Sequence, residues 1–144
     1  MKLIAFAILA VVVTLWTDNA EQSKKDLDKM QGDWASVEMI RDGISLERDS
    51  AQAYFRTVEG EKYTISRYRK VAGTGTFKLN AAKSPREIDT TPSMPGAKTM
   101  KGIYDWDGDK LKMIFGPPGG DRPADFKCPP GAQQSYTLWE REKK

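Results

Sequence analysis

Asp105, Asp107 and Asp109 form a D-x-D-G-D run, a set of oxygen donors of the kind that opens a calcium loop. An EF-hand loop needs Gly at its sixth position and Glu at its twelfth. Lys110 and Gly116 stand there instead, so the run reads as a hairpin turn. Gly73-Thr74-Gly75 is too short for a dinucleotide fingerprint and leads into a strand pattern rather than a helix. The chain has no histidine and one cysteine, Cys128. That excludes Ser-His and Cys-His dyads, His-ligated zinc, CxxC redox chemistry and any intramolecular disulfide. Cys128 would be a nucleophile only with a depressed pKa, and no His exists to provide it, so it is expected to be inert or to pair between chains. Glycosidase-type chemistry needs two carboxyls facing each other across a cleft, whereas the acids here fall at turns and on polar faces. The expectation is therefore no catalytic residue, no metal ligand set and no cofactor.

The composition fits one packed domain: 144 residues, 39% hydrophobic, 30% charged, with 23 Lys+Arg against 20 Asp+Glu and a net charge of +3. The basic residues are dispersed as Lys24-Lys25, Arg67 to Lys70 and Lys143-Lys144. A nucleic-acid groove would cluster them with exposed aromatics, so no nucleic-acid partner is expected. Met1-Lys2 followed by the apolar run Leu3 to Trp16 has the polarity of a secretory signal and is short for a bilayer span of about 20 residues. Residues 1–20 are accordingly expected to be a signal peptide ending at Ala20, or an uncleaved anchor, and residues 21–144 the domain. The expected location is exported, periplasmic or secreted. Membrane contact is expected only if the segment is retained.

Glu21 to Met30 is polar and proline-free, with Leu27 and Met30 three apart, which predicts a short amphipathic helix ending at Gly32. Beyond it, runs rich in Val, Ile, Tyr, Phe and Thr alternate with turn residues. Eight strands are predicted: Trp34 to Arg41, Ala53 to Val58, Lys62 to Arg69, Thr74 to Leu79, Glu87 to Thr91, Thr99 to Trp106, Asp109 to Phe115 and Ser135 to Arg141. Short connections exclude parallel crossovers. The fold class is all-β: an eight-stranded antiparallel up-and-down, lipocalin-like barrel with a short N-terminal helix, a two-sheet sandwich being the rival.

A two-residue turn at Asp107-Gly108 would pair Trp106 with Asp109, Tyr104 with Leu111, Gly102 with Met113 and Met100 with Phe115. That register gathers Met100, Tyr104, Trp106, Leu111, Met113 and Phe115 on one face. Lys101, Asp105, Lys110 and Lys112 go to the other, along with Ile103 and Ile114. Elsewhere the pattern is mixed. Tyr54 and Phe55 compete for the inside with Arg56 and Arg67 flanking, and Glu38 shares the parity of Trp34, which a bulge would resolve.

Several segments occur in a telling order: Leu27 to Trp34 (LDKMQGDW), Tyr63-Thr64-Ile65, Gly75 to Leu79 (GTFKL), Ile88-Asp89, Lys101 to Asp105 (KGIYD), Asp107 to Lys112 (DGDKLK) and Arg122 to Phe126 (RPADF). As a set they resemble the small lipocalin-like domain of unknown function expanded in planctomycete proteins, over nearly all of the chain from Leu27. The resemblance implies an often-exported β-barrel and carries no established activity. Gly32-Asp33-Trp34 is similar to the Gly-x-Trp that opens the first lipocalin strand. By that likeness Trp34 plugs the closed end and Arg141, late in the last strand, stacks on it. Gly32, Trp34 and Arg141 are the expected closure.

The mouth then lies opposite Trp34, with Tyr63, Ile65, Phe77, Tyr104, Met113 and Leu138 as expected walls of a site for a small, mostly apolar ligand. The competing expectation is a solidly filled barrel that contacts a protein partner, and a cavity of about 300 Å³ or more would favour the carrier. The long segment Gly116 to Gln134, with Pro117-Pro118-Gly119, Pro129-Pro130-Gly131, Phe126 and Cys128, is expected to be either a binding loop or a rigid cover.

Overall fold

The structure, a computed structural model, describes residues 20–143; the segment expected to be a signal peptide or anchor lies, but for Ala20, outside the described residues. Helix α1 covers residues 20–30. It buries Asp26 and Met30 and half-buries Leu27, one face of a 3.6-residue period. The chain continues through β1 (Gly32–Arg41), β2 (Ile44–Ser45), α2 (Arg48–Ala51), β3 (Tyr54–Glu59), β4 (Lys62–Arg67) and β5 (Lys70–Asn80). It finishes with β6 (Arg86–Pro92), β7 (Met100–Asp107), β8 (Lys110–Phe115) and β9 (Ser135–Arg141).

Leaving aside β2, each strand pairs antiparallel with the next, and β1 pairs with β9. Eight strands thus close into an up-and-down barrel, which leaves no long unpaired edge. The pair β2 and α2 has no counterpart among the predicted elements. β3 pairs with β1 only over Gly32 to Ala35, and β2 takes the same side of β1 at Ile40 and Arg41.

The β7–β8 hairpin differs from its predicted register. Asp107 pairs with Lys110, Trp106 with Leu111 and Tyr104 with Met113, so the loop is Gly108-Asp109. Gly108 has φ 60° and Asp109 lacks a positive φ, the pattern of a II′ rather than a I′ turn. The slip is two residues in pairing, an even number, so every side chain keeps its face. A bulge in β1 between Ser36 and Glu38 puts Trp34, Ser36 and Met39 inside while Glu38 stays exposed.

Near the helix the interior is filled by Trp34, Val58, Phe77, Ile88, Tyr104 and Leu111, all essentially inaccessible. A second, smaller cluster lies outside the barrel wall, where Ile103, Ile114 and Cys128 pack with Ile40, Phe126 and Tyr136. The segment from Gly116 to Gln134 is therefore a cover over two isoleucines that would otherwise be wet. It is pinned by Arg122, which donates to the Gly102 carbonyl at 2.8 Å and pairs with Asp89 at 2.7 Å and Glu87 at 3.3 Å. At its other end the Asp42 carboxylate accepts from the Gly131 and Gln133 amides at 2.7 and 2.9 Å. Cys128 is buried there, its thiol facing the Ile40 and Gln134 carbonyls.

Candidate functional site

The two ends of the barrel differ in kind. At the closed end, Trp34 Nε1 donates to the Met30 carbonyl at 2.8 Å, and the Arg141 guanidinium lies 4.1 Å over the Trp34 ring. Arg141 also donates to the carbonyls of Gln31 and Lys29, the last carbonyls of α1 and its exit. A helix leaves those acceptors open, and the last strand supplies the donor. Gly32 has φ 104°, a conformation that favours glycine, and a Cβ there would stand 3.2 Å from Arg141 Nη1. Lys29 Nζ sits 3.9 Å over Trp106, whose ring is 6.3 Å from that of Trp34.

Asp26 completes this end. Its carboxylate accepts from Tyr104 Oη at 2.7 Å, Gln22 Nε2 at 3.1 Å, Trp106 Nε1 at 3.4 Å and Arg86 Nη1 at 3.4 Å. Burial, and then the hydrogen bond to Asp26, hold the Tyr104 phenol far above its ordinary pKa. The barrel interior is filled at this end, and a cleft of about 370 Å³ lies against the plug, lined by Lys29, Trp34, Lys110 and Arg141 among others.

At the open end, β3 alternates Tyr54, Arg56 and Val58 inward, so selecting Tyr54 over Phe55 for the core takes Arg56 with it. Arg56 is 3% exposed. Its guanidinium lies 4.8 Å from the Tyr63 ring and 5.5 Å from that of Phe77. Neither Nε nor Nη2 has a hydrogen-bond partner, nor does the buried Thr90 Oγ1. Burial pushes the Arg56 pKa down from 12.5 to about 10, which leaves it charged at neutral pH.

Arg56 and Thr90 line a cavity of about 220 Å³, walled by Met39, Tyr54, Ile65, Met100, Met113, Phe115 and Trp139 among others. An outer cleft of about 630 Å³ shares Arg41, Tyr54, Tyr63 and Ile65 with it and adds Arg67, Val71 and Met94. The charged residues lining the two spaces are Arg41, Arg56 and Arg67; among the described residues no carboxylate lines either. Arg41 and Arg67 both approach the Tyr54 ring, at 5.2 and 5.6 Å. No residue from Gly116 to Gln134 lines these spaces.

Of the six walls expected from sequence, Tyr63, Ile65 and Met113 line the cavity. Phe77 and Tyr104 are buried inside the barrel but in the filled core below it. Leu138 is a correction: it pairs with Glu38 and Lys112, and paired residues share a face, so it sits on the outer wall. Its neighbour Trp139 takes the inner place. Arg56 and Thr90 went unselected because apolar patterning passes over a cation and a threonine on an inner face. The one available signal was their shared parity with Tyr54 and Ile88.

Compared with known proteins, the chain matches no family model, no curated protein and no solved structure. Among the described residues, no group of three or more His, Cys, Asp and Glu converges to hold a metal ion.

Proposed function

We propose that this protein is an exported carrier that holds one small, mostly apolar molecule at the open end of its barrel. The observation that carries the reading is the contrast inside one closed wall, filled around Trp34 and Tyr104 and empty between Arg56 and the mouth. Ligand sites of this type are mainly apolar with a few polar groups, and Met39, Ile65, Met100, Met113 and Phe115 around Arg56 and Thr90 fit that description. The likeness to the planctomycete lipocalin-like domain belongs to the same reading. It is supported by the barrel and by the stack of Arg141 on Trp34. Export rests on the Leu3 to Trp16 run alone.

Native mass spectrometry of protein purified from its own source tests the carrier. A stoichiometric co-purified molecule of low mass is expected. No adduct, together with no thermal shift from a panel of fatty acids and sterols, contradicts it.

A second reading, a protein-interaction module, draws on two observations. The inner cavity falls short of the roughly 300 Å³ of ordinary small-molecule pockets, and Ile44, Tyr68, Val71 and Met94 are large exposed apolar residues on elements at the open end. Crosslinking at residue 94 in the native source separates the two. The module gives one discrete adduct with another protein, the carrier none.

A further inference from the structure

A buried charge without a partner is among the costliest features a fold can keep. Among the described residues, the buried charged groups Asp26 and Arg56 are treated differently: Asp26 is surrounded by donors, while the Nε and Nη2 groups of Arg56 meet no acceptor. Nε and Nη2 form one edge of the guanidinium, with parallel N–H bonds spaced to match the two oxygens of a carboxylate. Tyr63 and Phe77 lie 4.8 and 5.5 Å from the guanidinium and give that edge no acceptor. Thr90 Oγ1, also unpartnered, lines the same cavity and adds a third donor.

We infer that the molecule held at the open end is a carboxylate-bearing amphiphile, its anionic head paired with the Arg56 guanidinium near Thr90 and its apolar part directed to the mouth. The inference rests on the carrier reading and adds the chemistry of the ligand. Its sign follows from the lining, where Arg41, Arg56 and Arg67 are the charged residues and no acid stands among them. A cationic ligand would meet three like charges. A neutral one could accept a hydrogen bond from Arg56 but would leave its buried charge unbalanced. Its shape follows from the walls above Arg56, where Met39, Ile65, Met100, Met113 and Phe115 surround a hydrocarbon-sized space.

The size is also constrained. A protein cavity of about 150 Å³ holds a benzene, so about 220 Å³ accommodates a carboxylate and the first several carbons. A longer chain emerges into the outer cleft beside Val71 and Met94, whose exposed side chains then gain an apolar partner. The cations Arg41 and Arg67 stand on the route inward, where they raise the local concentration of an anion and speed its entry.

The test is calorimetric titration of the full chain with decanoate, decan-1-ol and decyl phosphate. Decanoate is expected to bind at least about tenfold more tightly than decan-1-ol, the value of a charge-assisted pair over a neutral one. Arg56→Met is expected to bring decanoate down to the affinity of decan-1-ol and to raise the thermal midpoint of the ligand-free protein. A structural arginine would lower it. Thr90→Val, which keeps the side-chain shape, weakens decanoate severalfold and serves if Arg56→Met does not fold.

Equal binding of decanoate and decan-1-ol by the native chain overturns the anionic head and leaves the carrier reading standing. Binding of neither overturns both. Tighter binding of decyl phosphate than of decanoate overturns the carboxylate in favour of a phosphate.

Discussion

Asp26 and Arg56 are each 3% exposed inside the same barrel, yet their surroundings are opposite. Asp26 sits where α1, β6 and β7 meet and accepts from four side chains. Arg56 sits mid-strand above Phe77 with two aromatic rings and no acceptor on its Nε/Nη2 edge. A second arginine makes the contrast sharper, since Arg141 also stacks on an aromatic but has its donors on two helix-end carbonyls. Folding gives the closed-end charges their partners. It leaves the open-end charge without one, which on the carrier proposal holds part of the stability back until a ligand binds.

Substitutions at the two ends should accordingly differ in sign as well as size. Trp34→Ala is expected to cost about 3–5 kcal/mol, because a fully buried indole leaves a cavity and strands the faces of Arg141 and Trp106; chemical denaturation measures it, and a loss below about 1 kcal/mol would remove Trp34 as the plug. Asp26→Ala should destabilise by roughly 3 kcal/mol, since Tyr104, Trp106 and Arg86 then lose a shared buried acceptor. Arg56→Met should go the other way, gaining about 1–2 kcal/mol in the ligand-free protein as an unpaired buried charge is replaced by an apolar chain of similar length.

Alkaline titration adds a direction to that contrast. The folded Arg56 discharges near pH 10 rather than 12.5, so between those values the unfolded chain binds more protons and this group makes stability rise with pH. Tyr104 opposes it, because its phenol stays neutral in the fold while the unfolded phenol ionises near pH 10, so its contribution falls as pH rises past that point. Urea midpoints of Arg56→Met minus those of the native chain isolate the arginine. The advantage of the variant should be full below pH 10 and shrink above it. A constant difference from pH 7 to 11 would show that burial does not lower the Arg56 pKa into that range.

The smallest effects belong to the rim and the outer wall. Tyr68 and Arg69 form a two-residue loop with φ 50° and 65°, conformations that suit Asn and Gly better than tyrosine. Tyr68→Asn should stabilise by about 0.5 kcal/mol without affecting the core. Leu138→Ser should change stability by less than about 1 kcal/mol, whereas an inward Leu138 would cost several times more.

Much of the barrel was legible because its strands announce themselves by β-branched and aromatic runs between turns, and all eight long strands appear near their expected places. The faces of β7 and β8 were legible too, even with the pairing slipped, because an even slip preserves parity. The short β2 and α2 carry too few residues for any periodicity to register. β9 misled because it is apolar on both faces: Leu138 lies outward while Tyr136, also outward, packs under Phe126. The outer cluster around Ile103, Ile114 and Cys128 depends on a distant proline-rich segment folding back, which local pattern does not encode. Arg56 was seen only as a flanking charge of Tyr54, for hydrophobic patterning treats a cation as a marker of the surface.

The most direct test is a crystal structure at high resolution of protein purified from its own source. Continuous density is expected in the cavity between Met39, Met100 and Phe115, ending in a planar group on the Arg56 guanidinium. An empty cavity, one filled by repacked side chains, or an Arg56 swung out to solvent would contradict it.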